Sequence, residues 1–138
     1  MQRPAQASVR ALIEDEGRIL LVTHLTNDGR EVWTVPGGRA RIGEDPREAV
    51  VREVREETCL DVAVGDPVGA YSFTWDGGDQ GVVATVFECT VDGGTVDVGE
   101  NPEDEAIVGF DWLTPGEVAT VPMLPALETI VVENATER

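Results

Sequence analysis

Lysine is absent from this chain of 138 residues, and all ten basic residues are arginine. They stand against 27 Asp and Glu, which leaves a formal net charge of −17. A nucleic-acid groove needs a basic stripe that releases counterions, and none is present. DNA and long RNA are therefore not expected partners, and neither is an anionic membrane surface. An anionic small molecule stays admissible if metal cations or locally placed arginines screen it. Long apolar runs are missing too. The longest is Ile19 to Val22, far short of the roughly 20 residues of a membrane-crossing helix. The opening Met1-Gln2-Arg3-Pro4-Ala5-Gln6 has none of the apolar stretch of a secretory signal. Cysteine occurs only at Cys59 and Cys89, outside any C-x-x-C or Cys/His metal spacing. Two free thiols in a cytoplasmic protein is the expected arrangement. Histidine occurs once, at His24, where it ends a strand candidate. Aromatic residues are few. Trp33, Tyr71, Phe73 and Trp75 are candidates for stacking on a base, with core packing as the alternative, and Trp112 reads as core.

What is present suffices for one core. Apolar residues make up 41% of the chain, and the length fits a single domain over 1–138. Ser8 to Ile13 and Arg18 to His24 read as a hairpin around Asp15-Glu16-Gly17. Thr26 to Arg30 is a turn, and Glu31 to Val35 is a short strand that Pro36-Gly37-Gly38 ends. A helix follows, with Asp45 as N-cap, Pro46 at the first helical position and Glu48 completing a capping box. Its apolar stripe is Ala49, Val50 and Val54, and it runs to about Thr58. Further strands are expected at Val62 to Val64, Val68 to Trp75, Gln80 to Val91 and Ile107 to Leu113, with turns at Asp76 to Asp79 and Asp92 to Gly94. Leu124, Leu127, Ile130 and Val131 repeat at helical spacing. The fold class is α/β or α+β, a mixed, largely antiparallel sheet with helices on its faces.

The chemistry is concentrated between Gly38 and Leu60. At 100° per residue, Glu53, Glu56 and Glu57 share an arc of roughly 100° on the helix. Three carboxylates so placed repel one another. Either that face is fully solvated, or a divalent cation sits on it; carboxylate oxygens are hard donors that suit Mg²⁺ or Mn²⁺. Arg52 lies one turn before Glu56 and one turn after Glu48, within reach to hold carboxylates by forked hydrogen bonds.

The spacing resembles the Nudix box of the Nudix hydrolase family, in its MutT-like form: G-x5-E-x7-R-E-U-x-E-E-x-G-U, with U a bulky aliphatic. Gly38, Glu44, Arg52-Glu53-Val54, Glu56-Glu57 and Leu60 match it, and Cys59 replaces the penultimate Gly. The box thus spans 38–60, and the strand layout on both sides resembles the rest of the Nudix fold, an α/β/α sandwich with the box helix packed on a mixed sheet. The resemblance implies a hydrolase that cleaves a diphosphate linked to another moiety by water attack at phosphorus. Nucleoside triphosphates and ADP-ribose-like compounds are the expected substrates. It implies Glu53, Glu56 and Glu57 as ligands of Mg²⁺ or Mn²⁺, with the carbonyl of Gly37 or Gly38 completing the site. Arg52 would orient the acids, and Glu44 would tie the loop to the helix. The general base is either Glu53 or a downstream acid among Glu100, Glu103, Asp104 and Glu105, of which Glu105 is best placed. Arg39 and Arg41 are candidates for substrate phosphates, or else solvated loop charges. At Cys59 a helix ordinarily ends on a left-handed Gly, and a cysteine there reads as a tolerated structural change rather than a redox switch.

The resemblance also admits a non-catalytic binding or sensor domain, but such domains usually lose box carboxylates and carry an added module. It allows a homodimer. A strongly acidic surface without lysine also resembles proteins of halophilic organisms, which implies a high-salt cytoplasm; an acidic protein of an ordinary organism is the alternative.

Overall fold

A computed structural model of the chain describes residues 3–26, 28–75, 78–99 and 107–135. Among these residues, seven strands and three helices run in the order β1 (Gln6–Asp15), β2 (Arg18–Leu25), β3 (Glu31–Thr34), β4 (Gly37–Arg39), α1 (Pro46–Thr58), β5 (Asp61–Trp75), β6 (Gln80–Gly93), β7 (Ile107–Leu113), α2 (Pro115–Val118) and α3 (Pro125–Asn134). The strands form one mixed sheet in the order β3-β2-β1-β6-β5, with β4 added to β1 and β7 to β2. Among the described strands only the β1–β6 pair is parallel, from Gln6 opposite Val82 to Ile13 opposite Cys89.

The expected first hairpin is present but short. β1 and β2 pair at Glu14–Ile19 and Asp15–Arg18. Further back, β1 turns one edge to β6 and the other to β4, while β2 goes on to pair with β3 and β7. The sheet therefore divides into two wings that meet at the tip of this hairpin. Strand alternation sends Val9, Ala11 and Ile13 to one face, where they pack with Leu20 against Ala49, Val50 and Val54 of α1. Leu12, Ile19, Leu21 and Val86 go to the other face and meet Leu127, Ile130 and Val131 of α3. Helices on both faces of the sheet give the α/β/α layering.

Three local expectations change. Gly37–Arg39 does not simply end a strand: it is a strand, paired with Ser8, Val9 and Arg10. The two strands expected on either side of Gly65-Asp66-Pro67 are one long strand, β5. Its register against β6 shifts at Val64/Pro67 and again at Pro67/Gly69, and such irregularities on an edge strand accommodate a proline that donates no ladder bond. Asp45 caps α1 by accepting from the Arg47 N–H at 2.8 Å, rather than from Glu48. α2 is an addition, started by a reciprocal capping box between Thr114 and Glu117. At the C-terminus of α1, Cys59 adopts the left-handed conformation (φ 65°, ψ 8°) and donates its N–H to the Arg55 carbonyl at 3.0 Å. Its thiol is exposed, whereas burial pushes the Cys89 thiol up to about 12.

Asn27, Asp76 and Gly77 of the expected turns, and the acids Glu100, Glu103, Asp104 and Glu105, lie outside the described residues, as do Met1 and Gln2. No helix among the described residues is long and apolar enough to cross a membrane.

Candidate active site

α1 presents its acids unevenly. Glu53 and Glu57 are 2% and 1% exposed, sharing the buried face with Val50 and Val54, while Glu56 stands at the rim with its side chain 22% exposed. The solvated-face alternative thus fails for two of the three. A buried carboxylate is costly unless hydrogen bonds or a positive charge compensate it. Here the compensation comes from β4 and Arg52. The Gly37 N–H donates to Glu57 Oε1 at 3.2 Å. A Cβ on Gly38 would lie 2.3 Å from Glu53 Oε2, so only glycine lets the strand lie this close over the carboxylate. The Gly38 carbonyl accepts from Ser8 Oγ at 3.1 Å and faces Val9 in the β1–β4 ladder.

Arg52 braces the face. Its Nε and Nη2 form a fork on Glu44 at 2.8 and 2.9 Å, Nη1 donates to Glu53 at 2.8 Å and to Glu56 at 3.2 Å, and Nη2 also reaches the Arg39 carbonyl at 3.1 Å. The Arg52 hydrogen bond, followed by one from the Arg41 N–H, holds the Glu44 carboxyl down at about 2. The same Glu44 bond, with Glu53 adding to it, raises Arg52 above its ordinary range against a smaller opposing effect of burial. The Gly38–Glu44 loop is thereby locked to the helix.

The expected residues are largely brought together. Gly38, Glu53, Glu56 and Glu57 converge on one side of the Gly37–Gly38 strand, with Arg52 and Glu44 behind them. Arg41 lies 3.7 Å from Glu56, and both it and Arg39 are exposed at the rim. Among the described residues no three acidic, His or Cys side chains close around a single point; the carboxylates are instead spread along the helix with backbone opposite. All the donors are hard oxygens, of the kind that Mg²⁺ and Mn²⁺ prefer. Glu105 lies outside the described residues. A cavity of about 620 Å³ lined by Leu12, Glu14, Glu88 and Cys89 includes none of the box acids.

Tyr71 is buried in the core facing α3, with Trp33 and Phe73 packed against that core half-buried; Trp112 packs on the α1 side. The Tyr71 and Phe73 rings stack with centroids 6.0 Å apart. Burial raises the Tyr71 phenol, and Arg10 beside it works in the opposite direction. Sequence reasoning missed Ser8 and Arg10, although polar residues alternating at 6, 8 and 10 were a visible period-2 signal.

Comparison with known proteins agrees with this geometry. The NUDIX domain family model matches residues 3–132. A MutT-like protein of Streptomyces ambofaciens is 35% identical over 108 residues, 78% of this chain and 62% of that protein. An ADP-ribose pyrophosphatase of Methanocaldococcus jannaschii is 37% identical over 102 residues, 73% of this chain and 59% of that protein. The matched region thus spans about three-fifths of the length of these two relatives. The crystal structure of a MutT protein from Methanosarcina mazei superposes with a TM-score of 0.77 at 28% identity, covering 99% of each chain. With the box residues in place on α1 and the family model matched over nearly its whole length, the chain belongs to the Nudix family.

Proposed function

We propose that the chain is a divalent-metal-dependent hydrolase. It cleaves the diphosphate bond of a nucleoside diphosphate linked to another moiety by attack of water at phosphorus. The observation that carries this reading is the pair of buried carboxylates, Glu53 and Glu57, held against a side-chain-free strand. Nudix hydrolases generally need divalent ions. In this reading Glu53, Glu56, Glu57 and the carbonyl of Gly37 or Gly38 hold Mg²⁺ or Mn²⁺. When bound, the ion neutralises diphosphate charge and makes water a better nucleophile. Arg52 keeps Glu53 and Glu56 oriented through its fork on Glu44. Glu53 accepts the proton of the attacking water; Glu105 is the alternative base. Arg39 and Arg41, at the rim, take phosphate oxygens. Water attack on such a linkage leaves two phosphorylated fragments, one of them a nucleotide.

The substrate class is a nucleoside triphosphate or an ADP-ribose-like compound, supported by the name of the archaeal relative. The working environment is a high-salt cytoplasm, supported by the charge of −17 and the missing lysine. A panel of these substrates with Mg²⁺, read by product chromatography, tests the activity. Glu57→Gln tests the site. It should fold as the parent does by circular dichroism and lose about 10²–10⁴-fold in turnover, as Glu53→Gln should. Parent-like turnover in Glu57→Gln overturns the reading.

A further inference from the structure

Arg10 has no task in the reaction above, and its surroundings call for one. Its neighbours Val9 and Ala11 are buried against α1, so alternation turns Arg10 to the other face of β1, with Gln6 and Ser8. There a Cβ on Gly37 would meet Arg10 Cδ at 2.8 Å. The arginine stem therefore runs over the glycine whose N–H holds Glu57. Nη1 donates to the Val35 carbonyl at 3.2 Å. Nε is buried without an acceptor among the described residues, and Gln6 Oε1 is buried without a donor. Arg30, Arg41, Arg52 and Arg55 each pair with a carboxylate, but no described carboxylate pairs with Arg10. Its side chain also hydrogen-bonds the Tyr71 phenol.

A half-buried guanidinium with an unused donor is costly unless an anion completes it. No acid among the described residues supplies one. The planar fork of a guanidinium matches phosphate oxygens. Gly37 and Gly38 let β4 lie directly against Arg10 on one side and Glu53 on the other. We propose that Arg10 binds a phosphate oxygen of the nucleotide half of the substrate. The anion's identity rests on the hydrolase reading; the cationic site does not.

Metal-free calorimetry tests this, with AMP, GMP, CMP and UMP titrated against their nucleosides. Without an ion, Glu53 and Glu57 repel phosphate, so a preference for the monophosphate requires a cation of the protein. The parent should bind at least one monophosphate about tenfold tighter than its nucleoside. Arg10→Gln should abolish that preference and leave nucleoside affinity unchanged. Arg10→Lys, which keeps the charge without the fork, should retain only part of it. The proposal is overturned if the parent shows no preference, if Arg10→Gln keeps it, or if nucleoside binding falls in parallel. Should Arg10→Gln not fold, an undiminished preference in Arg10→Lys overturns it. Turnover with Mg²⁺ is a separate arm: phosphate preference without turnover keeps the Arg10 site and removes the hydrolase, and turnover without preference does the reverse.

Discussion

One side chain, Arg52, donates to three carboxylates and a carbonyl at once, and its pairing with Glu44 has a consequence that depends on pH. The Glu44 carboxyl lies at about 2, down from an ordinary 4.5. A group whose folded value is depressed stabilises the fold above its unfolded value and loses that contribution as pH falls through the folded one. The window is therefore pH 4.5 down to 2. Glu44→Gln should melt below the parent at pH 7, and the gap should narrow across that window and close only below pH 2. Equal melting at pH 7, or a gap that does not narrow between pH 4.5 and 2, removes the pair as a stabilising contact. Arg52 was legible from helical spacing, and Glu44 from the resemblance to the box. Arg10 was not, because its surroundings come from Val35, Gly37 and Tyr71, which are remote in sequence and brought near by strand pairing.

At the scale of elements, β4 separates two kinds of glycine. A Cβ on Gly37 meets the Val9 carbonyl oxygen at 2.1 Å, a backbone atom that moves only if the β1–β4 pairing opens. A Cβ on Gly38 meets the end of the Glu53 side chain, which has rotatable bonds. Gly37→Ala should therefore cost about 1–3 kcal/mol of stability in urea titration. Gly38→Ala should cost less stability and more turnover. The reverse ranking contradicts the proposed role of β4. α1 was readable from Asp45, Pro46 and its apolar stripe, and its left-handed end from the alignment of Cys59 with a glycine. β4 was not, since Pro-Gly-Gly has turn preferences and becomes a strand only through partners 27 and more positions away. β5 was split in the reading because Pro67 opposes a strand locally, and only its edge position and register shifts admit it. The Thr114-Pro115-Gly116-Glu117 run did carry the capping-box signature of α2 and went unread.

The whole molecule carries its charge of −17 on 138 residues, beyond the magnitude of about 2–8 that suits a small domain at ordinary ionic strength. Self-repulsion opposes compactness. At about 0.1 M salt the screening length is near 10 Å, and at 1 M near 3 Å. The melting midpoint should climb steeply from dilute buffer to molar KCl, with turnover persisting there. A flat profile removes the high-salt reading and leaves the family assignment intact. The sheet also implies an order of assembly. β5 and β6 meet across a short turn, Trp75 opposite Gln80, whereas β1 lies parallel to a strand whose matching residue, Val82, is 76 positions beyond Gln6. Closing a loop of that length costs entropy before any contact returns it. The β5–β6 hairpin can form as soon as its own residues leave the ribosome, while β1, made before it, must wait with the edge that faces β6 unpaired until β6 has been synthesised. The strand on which both wings depend is then the last to be fitted, and it is during that wait that a chaperone would find the chain.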